Sequence, residues 1–82
     1  MTQKIIPLTE LKPGQSAIVQ EFSPNMAADY QKFLQHLGLV RQTPIRLVRR
    51  APLGDPLQLE VRGSQFGLRS TEACHIYVAL SN

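Results

Sequence analysis

The chain has 82 residues, 43% hydrophobic and 18% charged, with a formal net charge of +3 and a single cysteine. A chain of this length (residues 1–82) makes one domain with one core, buries only about 60% of its unfolded surface and leaves little room for a deep catalytic cleft. The composition excludes disorder, and Cys74 alone excludes an internal disulfide, so a reducing cytoplasm is the expected location. Ile5-Ile6 is followed by Pro7, Glu10 and Pro13, and no later apolar run approaches about twenty residues, so neither a signal peptide nor membrane insertion is expected.

The lead-in "IIPLTELKPGQ" predicts a single turn capped by Thr9, with Leu8 and Leu11 closing over one end of the core before Pro13-Gly14 turns the chain. "QSAIVQEF" predicts a first strand with Ile18, Val19 and Phe22 as its apolar members. "SPNMAADYQKFLQHLGL" predicts the helix. Ser23 is the N-cap with Pro24 at the first helical position, and Asn25 is the competing cap. Tyr30, Phe33, Leu34 and Leu37 recur at i, i+3, i+4 and i+7 as one apolar stripe. Gly38 then supplies a left-handed residue, and Leu39 folds back on the stop.

The second half predicts strands. "PIRLVRR" alternates around Ile45 and Leu47. "LQLEVRG" sets Leu57, Leu59 and Val61 against Gln58, Glu60 and Arg62. Gly63-Ser64-Gln65 reads as a turn into "FGLR" with Phe66 and Leu68 inward, and Ser70 or Thr71 caps a brief turn carrying Glu72 and Ala73. "CHIYVAL" ends the pattern with Ile76, Val78 and Leu80 inward. About five short strands and one inserted helix predict a mainly β fold, a small SH3-like barrel closed to remove its edges and capped by the helix.

Reaction chemistry is not proposed by any motif. Gly14, Gly38, Gly54, Gly63 and Gly67 match no phosphate-binding loop, and the acids are scattered, so no catalytic residue and no cofactor is expected. Cys74-His75 resembles a ligand pair, but neighbours on a strand face opposite ways. Cys74 therefore reads as a small buried hydrophobe and His75 as an outer residue beside Tyr77, with no metal site; His36 reads as a solvated helix residue. Arg41, Arg46, Arg49 and Arg50 form a basic cluster suited to phosphate, anionic lipid or an acidic protein, or else to a guarded sheet edge.

The stretch "RRAPLGDP" is a stiffened corner. Each proline biases the residue before it, Ala51 or Asp55, toward an extended backbone; Gly54 permits a reversal, and Asp55 can bond its own loop. Leu53 either plugs the barrel, which burial statistics favour, or projects as an anchor. Arg49 and Arg50 are expected to diverge, with at least one in solvent, so that removing both leaves the melting temperature nearly unmoved.

"SPNMAADYQKFLQHLGL", "IRLVRRAPLGDPLQLEVRG" and "FGLRSTEACHIYV", in this order and spacing, resemble the FeoA family, and with "LTELKPGQSAIV" the similarity spans nearly the whole chain. The resemblance implies an SH3-like fold similar to the C-terminal domains of iron-dependent repressors of the diphtheria-toxin-repressor type. It implies a non-catalytic module of ferrous iron transport, with transition-metal ion binding as a family association. Such a module binds the bacterial ferrous iron transporter FeoB, through its GTPase domain or its membrane portion, is recruited to the inner face of the membrane, and supports or regulates iron uptake. Leu39, Arg49, Arg50, Pro52, Leu53, Gly54 and Asp55 are the expected partner-binding positions, as residues adjoining one barrel end and the helix stop. Arg41-Gln42 stand where the family has Pro-Gly, which puts the tight turn in question, and Gly67 stands where alanine is common. Two other readings compete. A basic barrel that binds nucleic acid would need stacking aromatics, for which only Tyr77 qualifies, and a metal-responsive regulator would need a ligand set. Self-association is left open.

Overall fold

In the computed structural model, which describes residues 4–80, the chain runs β1 (Ile5–Pro7), a 3-10 turn (Leu8–Glu10), β2 (Ser16–Phe22), α1 (Ala28–His36), β3 (Pro44–Arg50), β4 (Leu57–Val61), β5 (Ser64–Leu68), α2 (Ser70–Ala73) and β6 (Ile76–Leu80). The strands form one antiparallel sheet in the order β1-β6-β2-β3-β4-β5. The mainly β architecture is as expected, with one strand more. β1 emerges from the lead-in because Ile6 can enter the core only if Ile5–Pro7 pairs with β6. The expected closure is not completed, since β1 and β5 stand at opposite ends of the order and do not pair with each other. Pro7 removes a donor from the β1 edge and the 3-10 turn follows at once, so β1 is too short to form a seam. No helix among the described residues is long and apolar enough to cross a membrane.

Period-two patterning holds in β3 and β4, where Ile45, Leu47, Leu57, Leu59 and Val61 are buried. β2 departs from its expected membership. Ala17 and Val19 are buried, whereas Ile18 and Phe22 are half-buried. The register with β6 shifts between Val19 and Glu21, and such a bulge switches the parity so that Phe22 packs against the same core as Val19.

Helix α1 begins later than its cap signals suggest. The Ser23 N–H donates to the His75 carbonyl (2.7 Å), so Ser23 is held as an extension of the sheet. Its hydroxyl accepts the Asn25 N–H (3.2 Å) and its carbonyl the Met26 N–H (3.1 Å), which makes a separate turn ahead of the helix. On the apolar stripe Leu34 is wholly buried and Tyr30 and Leu37 pack partly against the core. Phe33 is 54% exposed, its ring stacked on Tyr30 with centroids 5.8 Å apart. The stop is as expected. Gly38 has φ +99, its N–H donates to Gln35 (3.0 Å) and that of Leu39 to Leu34 (3.0 Å), the paired bonds of a Schellman end.

Two late features move. The β4–β5 connection is the two-residue turn Arg62-Gly63 with φ 53 and 84, the sign pattern of a type I′ hairpin, so Ser64 and Gln65 belong to β5. Phe66 is half-buried there, and Leu68 is buried. Cys74 and His75 form the turn between α2 and β6 rather than the start of a strand, so strand parity does not govern them. Cys74 is half-buried, not a core hydrophobe, with its thiol on the Thr71 carbonyl at 3.3 Å. Leu80 is half-buried while its neighbour Ala79 is wholly buried.

Candidate functional site at the β3–β4 corner

Strict alternation along β3 would send Arg49 inward with Ile45 and Leu47. The ladder to β4 shifts between Leu47 and Arg49, and that irregularity turns Arg49 into solvent. Arg50 is half-buried instead. One terminal nitrogen of its guanidinium donates to the carbonyls of Thr9 and Leu11, the latter at 3.1 Å, and so ties the end of β3 to the 3-10 turn, whose first residue Leu8 and following residue Leu11 are buried. The two arginines diverge as expected, but they differ in kind. Arg49 is an exposed charge with no ion pair among the described residues, and Arg50 is a brace.

Beyond Arg50 the backbone makes a β-turn over Ala51–Gly54, closed by the Gly54 N–H on the Ala51 carbonyl at 2.7 Å. Pro52 occupies the position at which its fixed φ favours such a turn, and the Ala51 N–H closes the base of the loop on the Pro56 carbonyl at 3.1 Å. Asp55 does not bond its own loop. Its carboxylate accepts the Ser70 N–H at 2.7 Å and caps α2, for which neither Ser70 nor Thr71 supplies a side-chain cap. The corner is thereby pinned to the 3-10 turn on one side and to α2 on the other.

Leu53 stands at the tip of this pinned turn and is 96% exposed. The plug reading favoured by burial statistics is overturned. A turn that closes on its own backbone leaves its third residue outside the core, and beneath the corner Leu8 and Leu11 are already buried.

The other basic residues disperse. Arg46 lies opposite Glu60 and forms an ion pair with it at 2.7 Å, beside an open cleft of about 400 Å³ lined also by Ser16, Ala17, Pro44, Ile45, Arg62 and Gly63. Leu39 does not join the corner. It is wholly buried, and the preceding Gly38 abuts Val61 at the far end of β4 from Leu57, so the helix stop and the corner lie at opposite ends of that strand. Among the described residues no group of three or more His, Cys, Asp or Glu side chains converges as a metal site. Burial pushes the Tyr30 hydroxyl up to about 12, and the Glu72 carboxylate adjoining it adds to the rise, where α1 meets α2.

These features define a small β module whose most conspicuous surface element is a rigid, leucine-tipped corner. The chain belongs to the FeoA family, associated with ferrous iron transport; the FeoA domain model matches residues 6–80. It is similar to the FeoA protein from Chlorobium tepidum, known from a solution NMR structure, at 34% identity over 94% of this chain and 71% of that one, with a TM-score of 0.87. It is also similar to Stenotrophomonas maltophilia FeoA complexed with zinc, described as a prokaryotic SH3 domain protein and a candidate ferrous iron transport activating factor (34% identity, 87% of this chain and 86% of that one, TM-score 0.75). The SH3-like reading of the fold is thus supported. A manganese-dependent transcriptional repressor shares the fold at 16% identity over 99% of this chain and 44% of its own, with a TM-score of 0.84. No curated protein sequence matches the chain.

Proposed function

We propose that this chain is a non-catalytic accessory module that docks on the cytosolic part of the ferrous iron transporter FeoB and regulates ferrous iron uptake. The observation that carries the reading is Leu53, a large apolar side chain 96% exposed at the tip of a turn already fixed by its own hydrogen bonds. Burying such a side chain at an interface contributes about 1.5–3 kcal/mol, and a preformed loop lowers the ordering cost of binding. Arg49, exposed at the strand end that leads into the turn, supplies a charge that speeds encounter with an acidic surface. Pro52 and Gly54 shape the turn, while Arg50 and Asp55 hold it and act on binding through its position.

Capture by membranes carrying the transporter tests this reading. Leu53→Ser is expected to keep the wild-type melting temperature and lose most of the capture, and Arg49→Ala to weaken capture chiefly at low salt. Full capture by both folded variants would place the interface elsewhere.

A further inference from the structure

Among the described residues, strand β5 bonds to β4 on one side and to no strand on the other. The two-residue Arg62-Gly63 turn makes Val61 and Ser64 a hydrogen-bonded pair, and bonding alternates from there. Ser64, Phe66 and Leu68 thus spend their backbone groups on β4, whereas Gln65 and Gly67 direct theirs away from the sheet. Both are exposed. Natural edges are commonly guarded by charge or proline, and Ser64–Leu68 contains neither. Gly67 also lacks a side chain, with the Pro56 ring packed 3.5 Å from the place its Cβ would take, so the outer edge at this residue is bare backbone. The opposite edge is different, since β1 is three residues long and ends in Pro7.

Charge at the two ends of β5 selects the occupant. Arg62 and Arg69 flank the strand, both are exposed, and neither has an acidic partner among the described residues. Self-pairing of β5 antiparallel about Phe66 would set the Arg62 end of one copy against the Arg69 end of the other, twice over. A second copy is therefore disfavoured. An extended segment with acidic residues at both ends meets the same geometry favourably, with its acids separated by roughly 20 Å at about 3.3 Å per residue.

We propose that the β5 edge accepts an extended, acid-flanked peptide strand, held by the outward N–H and C=O groups of Gln65 and Gly67 and clamped by Arg62 and Arg69. The proposal stands apart from the Leu53 corner and does not depend on the identity of the transporter.

Amide hydrogen exchange of the full chain tests it, with the capped peptide Glu-Glu-Thr-Val-Thr-Val-Glu-Glu as probe. At a peptide concentration about ten times its Kd, exchange at Gln65 and Gly67 is expected to slow about tenfold by mass action. The β1 amides should not change, and the same peptide with lysines for glutamates should give no protection. Gly67→Pro removes one outward N–H without touching the β4 ladder and should abolish the effect. Arg62→Asn combined with Arg69→Glu leaves the backbone edge intact and should abolish it too, with thermal melts confirming both folds. Unchanged exchange at Gln65 and Gly67 would overturn the proposal, as would equal protection by the lysine peptide or by the charge variant. Protection that appears without peptide, in step with dimer formation on sedimentation, would assign the edge to a second copy and equally overturn it.

Discussion

Replacing Gln42 by glycine is expected to stabilise the protein. Gln42 is the third residue of a turn in which the Thr43 N–H donates to the Val40 carbonyl at 3.1 Å, and its φ is 72. A positive φ at that position alone is the sign pattern of a type II turn, which favours glycine there. The conformation is imposed from outside. The Gln42 N–H donates to the Val19 carbonyl at 2.7 Å, and the Val19 N–H donates to the Thr43 carbonyl at 2.9 Å, so β2 clamps the turn on both sides of the peptide. The Gln42 side chain is exposed and makes no hydrogen bond among the described residues, so its removal costs little by itself.

Two opposing terms set the magnitude. A left-handed backbone costs a non-glycine residue roughly 1–2 kcal/mol, and glycine gives back about 0.4–1 kcal/mol through the entropy of the unfolded chain. The difference is a gain of about 0.5–1 kcal/mol, or roughly 2–8 °C in Tm for a domain of this size. Urea denaturation with a parallel thermal melt reads both quantities. Gln42→Ala is the control, because alanine retains the strain and should not share the gain. Arg41→Pro should add to it, since proline suits the second position of the turn and the Arg41 N–H has no hydrogen-bond partner among the described residues. If glycine lowers the denaturation midpoint, or if alanine and glycine shift it equally, the backbone at residue 42 is not held left-handed.

Leu34→Ala should cost ~2–5 kcal/mol, whereas Leu37→Ala, at a half-buried site, should cost less than about 2 kcal/mol; equal values in chemical denaturation would contradict the burial of α1. Arg50→Ala strips two carbonyls of their shared donor and should cost ~1–3 kcal/mol, while Arg49→Ala should stay within about 0.5 kcal/mol. The double variant therefore melts earlier, contrary to the expectation from sequence. Tyr30 ionises at 10.0 when unperturbed and at about 12 in the fold, so the unfolded chain loses the proton first. Its contribution is complete below pH 10 and is lost as the pH rises from 10 to 12. Ultraviolet titration of Tyr77→Phe isolates this phenol, and Glu72→Gln should bring it only part of the way back, because burial is the larger cause. Calorimetric titration with ferrous iron under anaerobic conditions should show no saturable one-to-one site at low micromolar concentration, as no ligand group converges among the described residues.

Elements governed by local pattern were legible. The alternation in β3 and β4 and the Gly38-Leu39 stop need only neighbours within a few residues, and each stands where the pattern puts it. Long-range bonds decided the rest. Ser23 carries a sound cap signal, yet the His75 carbonyl claims its N–H from across the sheet and delays the helix to Ala28. Strand β1 exists because β6 passes beside it, and three residues carry no period of their own.

The corner separates these two kinds of information most clearly. Two prolines and a glycine announce a turn from the sequence, and the turn is there. Nothing in "RR" says which arginine is free. Without the register shift after Leu47, Arg49 would share the inward parity of Ile45 and Leu47, and its charge would enter the core unpaired. The shift sends Arg49 to solvent and leaves Arg50 to reach the carbonyls of Thr9 and Leu11, about forty residues earlier in the chain. The same brace makes the exposure of Leu53 useful. A leucine on a loose loop would fold back on apolar surface or bind with a large ordering cost, whereas a tip fixed at Arg50 and Asp55 has neither option of relaxing inward nor much freedom left to lose. Arg50→Ala should therefore weaken capture by the transporter even where enough denaturant-free stability remains to keep the chain folded, and Arg50→Lys, whose ammonium has donors for both carbonyls but stands one bond nearer the backbone than the guanidinium nitrogen that reaches them, should restore only part of it.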